Sequence, residues 1–420
     1  MTQSSHLPHF RTWLASLEEE ELATILRNRP DVLNPLPPSI AALATRLLLR
    51  TSIARALMDC TARQLAEIED IARRGGELEE VEDLNPDITR QLKERGLAYG
   101  NILIPPEVMP ALPTGWSLLD QVQVSPEDIA ELPDEERKVL ETLSRSNGLG
   151  TTRDAAIDAD PNRPIPRLIA KQLLQRVDAT TVRLPRPVHL ALNGKPTAPI
   201  PVEGITESPT PDSKADDAGT AAGLSAVRGM QRVIDALGAR PIELLKDKTV
   251  GVRQLTNLSK TLHLDEQELR RLIGLGMTAR LLSRGEPKNF EGNFLAPTEL
   301  AQTWLDAGLA EKWQLLLEAW TASPWTKEGR TLAHTNDRLP EFRQRVLQVY
   351  LRGAKPTFEE SLRFHFPLFA THTSDETIAE LRAEAEWIGA IALERPTSVL
   401  IDGPDAAARL TPDTVDYFLI

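Results

Sequence analysis

The sequence predicts a mainly α-helical protein built from tandem winged helix-turn-helix-like units with short β-hairpins. Aromatic residues make up only 5% of the chain, and most segments repeat apolar residues at intervals of three and four, the period of an α-helix. The segment ILIPPEVMPAL at 102–112 is also matched, without a gap, by VRLPRPVHLAL at 182–192. The repeat indicates that one small building block occurs more than once.

The first block runs from 85 to 112. Asn85 is suited to cap a helix that begins at Pro86 and stops near Gly96. Two short strands at 97–99 and 102–104 then flank Gly-Asn, a composition typical of a tight hairpin, and proline starts another short helix. The order helix, hairpin, proline, helix is that of the second half of a winged helix, and the block at 165–192 repeats it.

The third block contains the clearest helix-turn-helix. In VGVRQLTNLSKTLHLDEQELRRLI, one helix ends near Leu262, and Asp265 with Glu268 is expected to form a reciprocal cap for the next helix. A hairpin with a long loop, SRGEPKNFEGN, and Pro297 follow. A weaker fourth block runs from FRQRVLQVYLRG to IALERPTSVLI.

The fourth block has an acidic second helix, unlike the others. Glu380, Glu384 and Glu386 exclude it from lying on phosphate, so a protein partner or an internal packing surface is expected there.

The chain is predicted to divide at a linker. Residues 193–222 are rich in Pro, Ser, Thr, Asp and Gly without helical or strand periodicity, and we expect 195–220 to lack regular structure. This places two winged-helix-like units in 1–192 and two more in 223–420. A length of 420 residues agrees with a modular chain.

Composition excludes several classes of function. A formal net charge of −13 argues against a general nucleic-acid coat protein, so any DNA contact would need local basic faces. No apolar run approaches the roughly 20 residues that span a bilayer, and the first residues lack a secretory signal pattern, so we expect a cytoplasmic protein without a membrane partner.

No catalytic or metal-binding pattern is present in the sequence. The lone Cys60 permits no internal disulfide and no cysteine-rich zinc site, and His365 with His372 are too few for a closed metal site, so we expect no metal and no cofactor. The stretches GKPT and GAKPT place proline beside lysine and lack the leading glycine of a phosphate loop. The sequence therefore predicts that the chain is not an enzyme.

Basic residues cluster instead on the predicted winged units, where a bound duplex would lie. Arg271 and Lys288 are expected to be exposed, and the third unit is expected to bind phosphates both through its helices and through its hairpin loop. The alternative is that these long cationic side chains only solvate helix faces. The predicted nucleic-acid-binding residues are Arg90, Lys93, Arg167, Lys171, Arg253, Lys260, Arg270, Arg271, Arg284 and Lys288.

Several segments together resemble the helicase-associated-domain proteins of actinobacteria. They include ELPDEERKVLETL, RLIAKQLLQRVDATTVRLPRPVHLAL and AEAEWIGAIAL, and the resemblance covers nearly the whole chain. It implies a relation to the winged-helix-rich subunit of the transcription and repair factor. It also implies that a domain like the N-terminal domain of XPB-type helicases would begin near TPDTVDYFLI, where the sequence stops.

Three hypotheses on function follow from these observations. The first is a non-enzymatic DNA-binding or adaptor protein associated with helicase, repair or transcription machinery, with duplex DNA and a protein of that machinery as partners. The second is a winged-helix scaffold for protein partners without direct DNA contact. The third is the regulatory N-terminal part of a larger helicase-like protein.

Overall fold

A computed structural model describes most of the chain. The described residues are 6–113, 116, 118, 122–146, 148–194, 200, 208–287, 290–326, 335–353 and 357–412. The fold is mainly helical with small antiparallel sheets, which confirms that part of the predicted fold class.

Among the described residues, the helices of the first half are α1 (His6–Ser16), α2 (Glu19–Asn28), α3 (Ile40–Leu47), α4 (Arg50–Met58), α5 (Ala62–Arg73), α6 (Pro86–Lys93), α7 (Val108–Ala111), α8 (Pro126–Ala130), α9 (Asp134–Arg145), α10 (Pro164–Ala170) and α11 (Arg186–Leu192). Those of the second half are α12 (Ser213–Ala239), α13 (Val252–Leu262), α14 (Glu266–Thr278), α15 (Glu299–Asp306), α16 (Leu309–Ala322), α17 (Leu339–Leu351), α18 (Phe358–His365), α19 (Pro367–His372), α20 (Asp375–Trp387), α21 (Ser398–Ile401) and α22 (Ala407–Leu410).

The strands in the described ranges are β1 (Leu149–Thr151), β2 (Gln175–Arg176), β3 (Thr181–Arg183), β4 (Ile242–Glu243), β5 (Leu282–Gly285), β6 (Phe294–Pro297), β7 (Ile391–Ala392) and β8 (Arg395–Pro396). They form sheets in the orders β1-β3-β2, β4-β6-β5 and β7-β8, and every pairing is antiparallel.

The chain divides into two compact units. The first comprises Met1–Gly204 with Leu362–His372, and the second comprises Ile205–Ser361 with Thr373–Ile420. Helix α19 therefore belongs to the first unit, where Leu368 joins a core formed by α4 to α7. Two further apolar cores of the first unit lie among α1 to α3 and among α8 to α11.

The first repeated block has the predicted helix boundaries. The Asn85 side chain accepts hydrogen bonds from the N–H groups of Asp87 and Ile88, Pro86 is the first helical residue, and Gly96 has a left-handed φ of +65°. The hairpin is shorter than predicted: one bridge joins Tyr99 to Leu103 and closes a three-residue loop, with Val108 beginning α7. Such a short hairpin is held mainly by the apolar core beneath it.

The second block has the same order of elements. Helix α10 precedes the paired strands β2 and β3, and α11 follows with Pro185 as its N-cap. Strand β1 pairs with β3 on its other side, so this sheet gains a third strand from the chain before the block. Whether the two blocks superpose stays a prediction.

The linker prediction is wrong at its C-terminal end. Helix α12 begins at Ser213, because the Asp212 side chain accepts hydrogen bonds from Lys214 and Ala215 and so caps it. Residues 213–222 are therefore helical. Of the rest of 195–220, the structure describes 200 and 208–212, which have no regular secondary structure, and 195–199 and 201–207 lie outside the described residues.

The small residues of α12 serve close packing. A Cβ atom on Gly219 would lie 2.6 Å from a carbon of Thr397, and one on Gly223 would lie 2.1 Å from the indole of Trp313. The buried Asp216 carboxylate accepts hydrogen bonds from both the N–H and the hydroxyl of Ser398, at 2.6 and 2.7 Å. The residues that resemble a linker in composition thus form the contact face of the central helix of the second unit.

The third block begins with α13 and α14. His263 ends α13 in the left-handed conformation, and the Asp265 carboxylate accepts a hydrogen bond from the N–H of Gln267 to cap α14. The predicted cap residue is thus confirmed. The reciprocal bond from Glu268 is not among the described contacts.

Candidate functional site

The predicted nucleic-acid-binding residues of α6 lie at its surface. Arg90 is exposed and pairs with two carboxylates of its own segment, Asp87 at 3.2 Å and Glu94 at 3.1 Å. The same two partners raise the pKa of Arg90, mainly through hydrogen bonds. Lys93 is half-buried. Local pairs of this kind are screened by solvent and leave the helix face nearly neutral.

The cations of α10 point toward a buried acid of α9. Arg167 Nε lies 2.9 Å and Lys171 Nζ 2.7 Å from the two carboxylate oxygens of Glu136, whose side chain is only 1% exposed. Glu136 shares the buried face of α9 with Leu140 and Leu143. The two cations therefore neutralise a buried charge, and the arrangement does not present them as free phosphate ligands.

Helix α14, the predicted recognition helix of the third block, is enclosed within the second unit. It packs against α12, α13 and α16. Leu269, Leu272 and Ile273 are fully buried on it, and a Cβ on Gly274 would lie 2.9 Å from Trp325. Little of this helix is left to enter a DNA groove.

The remaining face of α14 meets a cluster of arginine and tryptophan side chains, which we call the arginine–tryptophan cluster. It brings together two of the predicted site residues. Its members are Arg270, Arg271, Trp320, Trp325, Arg343, Glu384 and Trp387.

The centre of the cluster is a buried ion pair between α17 and α20. Arg343, which is 3% exposed, donates from Nε to Glu384 Oε2 at 2.9 Å, and its Nη1 donates to the carbonyl of Ser323. The indole N–H of Trp320 donates to the same Glu384 oxygen at 3.2 Å. Three donors thus satisfy one carboxylate and one carbonyl, which is the condition for burying such a pair at low cost.

Arginines at the edge of the cluster stack on indoles. The guanidinium carbon of Arg271 lies 5.0 Å from the ring centre of Trp387, and that of Arg284 lies 5.4 Å from the ring centre of Trp325. Burial lowers the pKa of Arg284, and nearby Asp247 partly opposes this. Arg270 pairs with Glu266 at 3.1 Å on its own helix. The expectation that Arg271 is exposed is wrong, because its side chain is half-buried in this contact.

The space inside the cluster is small. Its cavity measures about 30 Å³, which accommodates roughly two water molecules. A nucleotide or a side chain does not fit, so the cluster acts as a polar packing interface that holds α14 to α16, α17 and α20.

Two of the predicted residues of the third block remain at the surface. Arg253 and Lys260 are exposed on α13, seven residues apart and therefore on one helix face, with the exposed Asn257 between them. Neither forms an ion pair with another residue of the described ranges. Lys288 lies outside the described residues.

The sequence analysis missed the partners of these cations. Glu136 carried a usable signal, since it is an acidic residue in the apolar stripe of an amphipathic helix. The sequence contains no such signal for the tryptophans and Arg343, because they contact α14 from elements that are distant in the chain. In the fourth block, Glu384 lies in internal packing, one of the two expectations for its acidic helix.

No protein-family model, no curated protein and no solved structure matches the chain. The resemblance to helicase-associated-domain proteins therefore stays a prediction. Within the described ranges, no group of three or more His, Cys, Asp or Glu side chains is placed to hold a metal ion, and no helix has the length and apolar character needed to cross a membrane.

Proposed function

We propose that the chain is a non-catalytic scaffold of winged-helix-like units that binds protein partners. The order of elements supports such units twice. In the second unit α12, β4, α13, α14, β5 and β6 follow one another with the sheet order β4-β6-β5, and in the first unit α9, β1, α10, β2 and β3 follow with the order β1-β3-β2. In the second unit β4, which precedes the helix pair α13 and α14, lies beside the last strand of the hairpin, as in a winged helix. In the first unit β1 has the same place in its sheet, but a short 3-10 turn at Arg153–Ala155 and α10 stand where the helix pair would be.

The observation that favours a scaffold over a DNA clamp is the enclosure of α14. A helix that reads DNA needs a free face with cations that reach phosphate or base edges. On α14, Arg271 stacks on Trp387, Arg270 pairs with Glu266, and the apolar face is buried. The association with repair or transcription machinery rests on the sequence resemblance alone.

A second candidate function is DNA binding through α13. Its exposed stripe of Arg253, Asn257, Lys260 and Thr261 contains no acidic residue, in a chain whose net charge is −13. Contacts from this stripe would be to phosphates, so binding would be weak, insensitive to sequence and strongly salt-dependent.

The two candidates are separated by titrating labelled duplex DNA, read by fluorescence anisotropy at low and moderate salt. The scaffold proposal expects no binding tighter than about 100 µM at physiological salt, the weak end of non-specific affinities. Tighter binding that is lost in Arg253→Glu with Lys260→Glu would replace it by the α13 candidate. If a folded Arg271→Gln variant no longer bound DNA, the DNA-binding site would instead lie on α14.

Protein binding is tested by capture of partners from nuclease-treated extract with the full chain as bait. Nuclease removes partners that are bridged only by nucleic acid. Partners that remain at moderate salt support the scaffold, and an empty capture contradicts it.

The non-catalytic part of the proposal is tested by ATP hydrolysis with and without DNA. We expect no turnover by the purified chain, because no phosphate loop is recognisable in its sequence. Turnover that copurifies with the chain and disappears with a point substitution in it would contradict the proposal.

A further inference from the structure

A second cavity lies in the first unit, between α9, α11 and α19, and we call it the α9–α11 pocket. Its volume is about 250 Å³, slightly below that of pockets which hold drug-sized ligands. It therefore has room for a small molecule, unlike the arginine–tryptophan cluster.

The described residues that line the α9–α11 pocket include no acidic one, although acidic residues outnumber basic ones in the chain by 61 to 48. Its polar groups are Ser144, Arg186, His189, Thr371 and His372, and its apolar wall includes Leu184 and Leu190. A pocket with a permanent cation, two imidazoles and no carboxylate favours an anion over a cation or a neutral ligand.

Contacts with Trp116 and Thr371 help to orient the guanidinium of Arg186. Its carbon lies 4.8 Å from the ring centre of Trp116, and Nη2 donates to Thr371 Oγ1 at 3.3 Å. The Thr371 hydroxyl in turn donates to the carbonyl of Pro367 at 2.8 Å, which fixes it as an acceptor for Arg186. An arginine that is oriented before the ligand arrives loses less conformational entropy on binding.

The two histidines are also oriented. His372 Nδ1 lies 2.7 Å from the carbonyl of Leu368, so Nδ1 is the donor and Nε2 is left for other contacts. His189 Nδ1 lies 2.9 Å from the hydroxyl of Ser144, which joins α11 to α9.

Trp116 contributes its ring to the wall of the α9–α11 pocket. The residue is 8% exposed, and its indole nitrogen has almost no accessible surface, so the ring and not the N–H is available to a ligand. The indole thus adds apolar surface to the pocket beside the guanidinium of Arg186.

We propose that the α9–α11 pocket binds a small organic oxyanion, a carboxylate or phosphate monoester carried on an apolar group. Arg186 pairs with the oxyanion, the imidazoles add hydrogen bonds, and the leucine wall with the Trp116 ring covers the apolar group. The site is independent of the scaffold function proposed above.

The test is a calorimetric titration of the full chain with phenyl phosphate, benzoate, inorganic phosphate and benzyl alcohol. We expect saturable binding of phenyl phosphate or benzoate, and whichever binds more tightly identifies the oxyanion. Benzyl alcohol, which has the same ring without the charge, should not bind. Inorganic phosphate that binds as tightly as phenyl phosphate would overturn the requirement for an apolar group.

Variants locate the site. Arg186→Gln should weaken binding at least about tenfold, the usual loss for a charged hydrogen bond. Arg145→Gln, on α9 beside Ser144 but outside the pocket lining, should leave affinity unchanged. The proposal would be overturned if both variants lost the same affinity for the ligand, or if Arg186→Gln lost none.

A direct readout covers the case in which Arg186→Gln does not fold. The indole N–H resonance of Trp116, assigned by its absence in Trp116→Phe, should shift on titration of the unaltered chain with phenyl phosphate or benzoate. An unmoved Trp116 resonance at saturating ligand, or no saturable binding by either compound, would contradict the assignment of this pocket.

Discussion

The predicted recognition helices α10 and α14 hold their cations in different ways. Arg167 of α10 and Lys171, the C-cap of that helix, converge on one buried carboxylate, Glu136. On α14, Arg271 stacks on an uncharged indole and Arg270 pairs with a carboxylate of its own helix. Removing a partner from α10 therefore leaves a buried charge, whereas removing Arg271 leaves only an uncovered ring.

The comparison also shows how one sequence signal leads to two structures. Pairs of basic residues on an amphipathic helix look alike whether they meet phosphate, a buried acid or an aromatic ring. The four predictions that follow test the difference, from the largest expected effect to the smallest.

The largest effect is expected at the centre of the arginine–tryptophan cluster. Arg343→Met should lower the free energy of unfolding of the second unit by about 3 kcal/mol, because it leaves Glu384, which is only 17% exposed, without its cation. Chemical denaturation followed by tryptophan fluorescence measures the change. Adding Glu384→Leu should restore much of the loss, since it removes the uncompensated charge.

The matched control for this prediction is Arg338→Met. Arg338 is exposed just before α17 and its guanidinium carbon lies 5.2 Å from the ring centre of Phe342. Its loss should change stability by well under 1 kcal/mol, as is usual for surface substitutions. If the two variants lost the same amount of stability, the interpretation of Arg343 and Glu384 as a buried ion pair would be refuted.

The second effect concerns α10. Replacing both Arg167 and Lys171 by glutamine should destabilise the first unit by roughly 2–3 kcal/mol. This is less than for Arg343 because both cations are partly exposed, at 40% and 45%. Thermal unfolding followed by circular dichroism measures the loss.

The α10 prediction has its own rescue and control. Adding Glu136→Leu should recover stability, because Glu136 then no longer needs a counter-ion. Arg163→Gln removes an exposed partner of Asp154 and should have little effect. A double variant as stable as the parent would show that α10 does not neutralise a buried charge.

The third effect is a pH dependence of the second unit. Burial raises the pKa of Tyr350 to about 12, and Arg382, which donates to the phenol oxygen at 3.0 Å, partly opposes this. Because the pKa of Tyr350 is higher in the folded protein than in the unfolded one, the protonated phenol stabilises the fold. This stabilisation is fully present below about pH 10 and is lost as the pH rises towards 12. The loss should reach roughly 2 kcal/mol.

Tyr350→Phe provides the comparison for this pH effect. The variant has no phenol at 350, so its stability should fall less steeply than that of the parent between pH 10 and 12. Parallel stability curves in that range would contradict the prediction.

The smallest effect is expected for Arg271. Arg271→Gln should cost about 0.5–1 kcal/mol, the usual worth of a partly exposed cation–π contact, and should shift the emission of Trp387. Arg90→Gln, which loses only surface pairs on α6, should give no resolvable change. A cost for Arg271 as large as that for Arg343 would remove the contrast between the two helices.

Composition misled the sequence analysis at one long element. Residues 213–222 of α12 contain alanine, glycine, serine and aspartate, which are typical of a linker, yet they form a buried helix surface against Thr397 and Ser398. A helix that packs this closely needs small residues, and nothing local in the sequence distinguishes that need from flexibility.

The sequence by itself determined the mainly helical class and several helix boundaries of this protein. The caps at Asn85 and Asp265 and the stop at Gly96 depend on hydrogen bonds and backbone angles within about four residues, so the local pattern contains them. Only the tertiary structure decided what the basic residues meet. Lys171 and Glu136 are 35 residues apart, and Arg343 and Glu384 are 41 apart. Such contacts exist only once packing has brought distant helices together, because a charge has no preference for a particular distant partner until burial has removed water as the competitor.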